Sequence, residues 1–167
     1  VGGIVRSEGE HGGAGKAGGQ TEAFWLETIQ VLRDHSPEIF MLAESNFPQM
    51  HDVGFDATYG WEFHHLINEV ARGDKGTDEL HQYILRDADK FPKDSYRLLF
   101  IDNHDENSWN GTVASRLGNN AHAAYVLCAT LPNAIPLIYS GQEVGLNHSL
   151  RFFERDTIDW SLDSQAD

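Results

Sequence analysis

Three polar clusters stand directly after apolar runs, and their residue types suit chemistry on a hydroxyl-rich molecule. FMLAESN carries Glu44, Ser45 and Asn46; FIDNHDENSW carries Asn103, His104 and Asp105; PLIYSGQE ends in Gly141, Gln142 and Glu143. A carboxyl group at the end of a buried strand is partly withdrawn from water, which suits Glu44 to general-acid work; the plainer role is a loop cap or an arginine partner. An imidazole, an amide and a carboxylate side by side can grip vicinal hydroxyls from several directions. The plainer role of Asn103 and Asp105 is an Asx turn opening the next segment. Tyr59, Trp61 and Trp109 offer rings that could stack on a ligand or fill a core.

Other combinations carry less. His51, His64, His65, His81, His122 and His148 show no tight metal-ligand spacing. His64 and His65 are helix neighbours that point apart, so no metal site is expected from the histidines. Gly15-Lys16 suggests a phosphate-binding loop, but Glu10 stands where that loop needs glycine and Ala17 where it needs a hydroxyl.

These clusters need elements to hold them. Residues 1–20 hold eight of the sixteen glycines and show no period, so they read as a flexible segment. From Thr21, a candidate N-cap, TEAFWLETIQVLRDH has Trp25, Ile29 and Leu32 at helical spacing and stops before Pro37. EIFMLAES reads as a short buried strand and GFDATYG as a weaker one. WEFHHLINEVARG and TDELHQYILRDADKF are amphipathic helices, YRLLFIDNHD a strand, ASRLGNNAHAAYVLCATL a helix and NAIPLIYSGQE a strand. Buried strands alternating with helices predict an α/β fold with a parallel sheet covered on both faces. All three polar clusters then fall at strand C-terminal ends, the edge where such folds place their chemistry.

Composition narrows the partners. With 167 residues, 40% hydrophobic and 23% charged, the chain can bury a real core. A net charge of −14 argues against nucleic acid or an anionic membrane surface and suits a neutral substrate. Cys128 is the single cysteine, so neither an internal disulfide nor a cysteine-based zinc cage is available, and it reads as a core residue. No run is long enough for a membrane span, and the compartment is left open.

In this order and spacing, MLAESN, FIDNHDENSWNGT and PLIYSGQEVG resemble the α-amylase family of glycoside hydrolases, and the tail RFFERDTIDW resembles the stretch that follows in that family. The resemblance spans roughly Phe24 to Trp160. It implies that the chain is a partial (β/α)8 TIM barrel, roughly strands five to eight with their helices, over residues 21–167. It implies that Glu44 is the acid/base, Asp105 steadies the transition state, His104 binds hydroxyls and Asn103 fixes the geometry of that loop. The substrate class implied is an α-glucan or malto-oligosaccharide. No cofactor is implied for this chain; calcium in the family is bound through a loop domain outside it.

Two departures follow from the same comparison. The family's nucleophile lies in a fourth-strand region reading roughly Gly-Phe-Arg-x-Asp. Here GGIVRSEGEH stands in that place, and Arg6-Ser7-Glu8 keeps only an Arg-x-acid spacing, so the nucleophile is not assigned and residues 1–20 read as a disrupted fourth-strand region. A whole barrel needs about 250 residues. Half of one leaves strand edges that favour self-association, and an inactive half-barrel serving as a sugar-binding or assembly piece is the alternative reading.

Overall fold

The computed structural model describes residues 17–161, so the expectations for residues 1–16 lie outside it. Helix α1 (Ala17–His35) is followed by β1 (Leu42–Ala43), the short α2 (Gln49–Asp52), β2 (Ala57–Tyr59), α3 (Trp61–Arg72), α4 (Asp78–Lys90) and β3 (Tyr96–Leu99). A π-helical turn (Glu106–Asn110), α5 (Val113–Leu117), α6 (Ala121–Thr130) and β4 (Ala134–Pro136) complete the order, with 3-10 turns at Gly118–Asn120 and Gln142–Val144. The four strands form one parallel sheet in the order β1-β2-β3-β4. Each strand therefore lies beside its sequence neighbour, with helical crossovers between, as the α/β expectation requires.

Strand period explains the layers. Ala43, Thr58, Arg97 and Ala134 share one register row and face the helices. On that side Leu99 and Ile101 pack with Phe63, Leu66 and Ile67 of α3, Tyr83 of α4 and Cys128 of α6. Ile29 of α1 packs with Met41, Ala43, Val53 and Phe55, supported by Trp25 and Leu32. Among the described residues no second helix layer covers the opposite face, which corrects the expectation of a sheet covered on both faces. That face carries the strands' own side chains, Tyr59, Leu98 and Phe100 with Leu42, Ile135 and Leu137, plus Trp61 from the start of α3. A sheet with helices outside and its own side chains inside is barrel-like rather than doubly wound.

Two local differences from the sequence reading have physical causes. Helix α1 starts at Ala17 rather than after a Thr21 cap, so four glycine-rich residues join it; residues 19–24 are exposed. Once Trp25, Ile29 and Leu32 hold the helix, adding a turn needs no new nucleus. The single helix expected over ASRLGNNAHAAYVLCATL is broken. Gly118 takes φ 51°, and Gly-Asn-Asn, all poor helix formers, make the 3-10 turn between α5 and α6.

Gly60 sits where β2 passes straight into α3. Its N–H donates to the Leu98 carbonyl at 2.9 Å, and a Cβ there would press on the Leu99 Cδ2 and come within 3.1 Å of the Leu98 carbonyl oxygen. The tight strand-to-helix turn thus leaves little room for a side chain.

Candidate active site

β1 delivers Glu44. The register pairs Ala43 with Thr58, so the next residue, Glu44, falls in the row of Tyr59 on the inner face. Tyr59 N–H donates to the Ser45 carbonyl at 2.9 Å and fixes this end of the strand. From β3, His104 Nε2 lies 4.0 Å from Glu44 Oε1 and 3.7 Å from Asp105 Oδ2. The Glu44 side chain is 9% exposed, that of Asp105 20% and that of His104 43%. One ligand atom from each of the three lies within 4.8 Å of the others, and among the described residues this is the only such group of His, Cys, Asp and Glu. None of the other described histidines belongs to such a group.

β2 adds Tyr59, whose phenol feels the charge of both carboxylates. Its phenol is pushed up to about 12, first by burial and then by the negative charges of Glu44 and Asp105. It therefore keeps its proton at any ordinary pH and can serve as a donor.

Asn103 is 1% exposed and works from behind. Its Oδ1 accepts the Glu106 N–H at 2.8 Å and its carbonyl accepts the Asn107 N–H at 2.9 Å, so it starts the π-helical turn that follows His104 and Asp105. A π-helical turn is rare and occurs frequently at functional sites.

Beneath this turn lies a buried polar frame that the sequence reading did not single out. Asp102 accepts from Arg116 Nη2 at 2.7 Å and from Asn107 Nδ2 at 2.9 Å. Arg116 also donates to the carbonyls of Ile101 and Gly111 and to Asn68 Oδ1. Burial holds the Asp102 carboxyl above the usual range, with Asn107 and Arg116 working against it. His64 Nε2 meets Glu106 Oε2 at 3.0 Å, and the His64 ring stacks on Phe100. Burial alone would raise Glu106, but the hydrogen bond and charge of His64, with help from Asn110 and Arg116, hold it below the usual range. Asp102 and Asn107 within FIDNHDENSW were the available signal; Arg116 lies outside that stretch.

The third polar cluster goes elsewhere. Gln142 and Glu143 line a separate cavity of about 680 Å³ with Asp102, Asn107, His122 and Tyr125. They are not in the group formed by Glu44, His104 and Asp105.

A parallel sheet with outer helices, an inner face of strand side chains and carboxylates at its C-terminal edge is an arc of a (β/α)8 barrel. No family model and no curated protein matches the chain. Solved structures do. An alpha-amylase from Lactobacillus plantarum is 26% identical with a TM-score of 0.70, over 81% of this chain and 36% of that one. A noncanonic maltogenic alpha-amylase from Thermotoga neapolitana matches at 23% identity and a TM-score of 0.70, over 84% and 31%. The cyclic alpha-maltosyl-(1→6)-maltose hydrolase from Arthrobacter globiformis, in its complex with maltose, matches at 24% and 0.72, over 86% and 34%. The chain thus spans about a third of the length of these proteins. Its resemblance to α-amylase-type glycoside hydrolases, read from three motifs, extends to its three-dimensional structure, and its fold is a partial region of their barrel.

Proposed function

We propose that the chain is the second half of the catalytic barrel of a retaining α-glucan hydrolase. The observation that carries this reading is the meeting of Glu44 with His104 and Asp105, from two strands sixty residues apart, at the C-terminal edge of an α-amylase-like sheet. In this reading Glu44 gives its proton to the glycosidic oxygen as the C1–O bond breaks. A carboxylate bonds to C1, and Glu44 then takes a proton from the water that displaces it. His104 and Asp105 hold ring hydroxyls and steady positive charge developing on the sugar, and the Tyr59 hydroxyl donates a further hydrogen bond. Asn103 sets the loop. The attacking carboxylate belongs to the fourth-strand region, which lies outside the described residues.

The substrate class proposed is an α-glucan or malto-oligosaccharide, supported by the neighbours' names as an alpha-amylase and a maltogenic alpha-amylase. Self-association is proposed through β1 and β4, which each have one strand neighbour among the described residues. The test is a barrel completed by co-expressing an upstream half. There Glu44→Gln should lower turnover of maltoheptaose by about 10²–10⁴-fold while binding survives. Unchanged turnover removes Glu44 from its role. If the completed barrel binds malto-oligosaccharides and never cleaves them, the binding-piece reading takes over. A metal-dependent reaction using the same three side chains is tested by a chelator; activity that survives it disposes of that reading.

A further inference from the structure

Glu44 is deeply placed and poorly met. Its side chain is 9% exposed, yet no described residue donates a hydrogen bond to it. Among the described residues the one basic group near it is the His104 imidazole, 4.0 Å away. A carboxylate so far withdrawn from water is stable in its charged form only when a cation or a set of donors meets it. Asp105 brings a second carboxylate to the same place, with Oδ2 3.7 Å from His104 Nε2. Backbone bonds hold the arrangement from both sides. Tyr59 N–H fixes the Ser45 carbonyl next to Glu44, and Asn103 anchors the turn after His104 and Asp105 through the Glu106 and Asn107 N–H groups.

Separations of 3.7 and 4.0 Å are long for direct hydrogen bonds but suit ligands of one ion. Two donors that each lie about 2.0–2.2 Å from Zn2+ stand at most about 4.4 Å apart. The three ligand atoms here lie within 4.8 Å of one another, so small rotations of the two carboxyl groups close the set on a single ion. One imidazole nitrogen with two carboxylate oxygens is a mixed set that suits Zn2+, whereas Ca2+ and Mg2+ take oxygen ligands. Two carboxylates and a neutral imidazole carry two negative charges, which one divalent cation balances. His104, 43% exposed, leaves the ion a way in and a coordination position open to water. We propose that Glu44, His104 and Asp105 form a site for a Zn2+-like transition-metal ion, and that this ion and a sugar exclude each other there. A coordinated Glu44 has no proton to give, so the ion holds the site off reversibly. The metal site stands on these three side chains alone; the exclusion of a sugar rests on the proposed function.

The experiment is calorimetric titration of the full chain, in metal-free buffer, with ZnCl2 and with CaCl2 as the comparison. One Zn2+ should bind per chain, with Ca2+ far weaker. Loss of a group behind a metal ligand already costs 10–100-fold in affinity, so His104→Ala, Glu44→Gln and Asp105→Asn should each weaken Zn2+ by about a hundredfold or more. His148→Ala, which removes the exposed imidazole beside Asp156, should leave Zn2+ binding unchanged. Unchanged circular dichroism in each variant establishes that the fold is intact. A parent chain that binds no Zn2+, or parental affinity in both His104→Ala and Glu44→Gln, overturns the site. So does weak binding of several ions that none of the variants alters, which is adsorption on an acidic surface. Ca2+ bound as tightly as Zn2+ overturns the mixed nitrogen and oxygen set. In a completed barrel, maltoheptaose turnover should fall as Zn2+ is added and return with a chelator; turnover indifferent to saturating Zn2+ overturns the exclusion. The two readings fail separately. A completed barrel that cleaves maltoheptaose while the chain binds no Zn2+ removes the metal site alone, and a chain that binds Zn2+ through these residues in a barrel that never cleaves removes the hydrolase reading alone.

Discussion

Arg97 and His104 sit on the same strand and its extension, each beside an acidic group, yet their surroundings differ in kind. Arg97 is buried and fully engaged: it meets Asp87 Oδ2 at 3.3 Å, His51 Nε2 at 3.0 Å, Thr58 Oγ1 at 3.3 Å and Ser95 Oγ at 2.6 Å. The Phe91 ring covers its guanidinium at 3.9 Å. His104 is half open, and its contacts with the carboxylates of Asp105 and Glu44, at 3.7 and 4.0 Å, are longer than a hydrogen bond. At the start of β3 polar groups satisfy one another; past its end His104, 43% exposed, stands 4.0 Å from Glu44 and 3.7 Å from Asp105. The first arrangement supports the fold and the second can do chemistry, the division expected between the two faces of a barrel.

That contrast can be broken in order of effect. Glu44→Gln in a completed barrel should remove most turnover, about 10²–10⁴-fold, while the denaturation midpoint stays near that of the parent. A large loss of stability instead would make Glu44 a structural residue like Arg97. Arg97→Ala should do the reverse, costing about 3–5 kcal/mol by leaving Asp87 buried without its cation. Replacing both by apolar residues should recover much of this, because burial already raises Asp87 and lowers Arg97 despite their attraction. Equilibrium urea unfolding checks both; a double variant no better than Arg97→Ala alone would contradict the account.

Glu106 sharpens the comparison by pH. Its folded-state value is depressed, so its contribution is present above the unfolded carboxylate range and is lost as pH falls through the folded value. Urea unfolding at pH 7 and pH 3 should show a larger acid loss in the parent than in Glu106→Gln. Equal losses would mean that the His64 contact adds nothing. The smallest effect is expected at Thr112, whose Oγ1 accepts the Ser115 N–H at 3.2 Å at the start of α5. Thr112→Ala should cost about 1 kcal/mol, read in the same unfolding experiment.

The parts of this molecule that were legible in sequence are those whose signals are local. The strand-then-helix order follows from period, and Glu44, Asn103, His104 and Asp105 follow from polarity changing abruptly at strand ends. The contact of Phe152 with His104 was not legible, because it joins residues 48 positions apart in sequence. Asp102 with Arg116, and His64 with Glu106, were missed for the same reason. Gln142 and Glu143 looked like a third contributor because they end a strand in the same way; what separates them is the direction the 3-10 turn takes after Gly141, whose φ is 88°. Helix α1 ran past Thr21 because a cap residue is a stop signal only where the chain has somewhere else to go.

The edges of the sheet at β1 and β4, each with one strand neighbour among the described residues, would also limit how copies of it join. Every strand here runs the same way, so β1 can extend the sheet in parallel only by meeting a β4-type edge, a head-to-tail contact rather than a mirror-like one. Pro136 withholds an N–H from the β4 side, and β1 spans only two residues, so neither edge makes a long zipper. Two copies joined twice in this sense would bring together eight strands and close, whereas a single such joint would leave an end for a third copy. The proposed assembly would therefore halt at a ring or grow into a chain according to the curvature of this four-stranded arc.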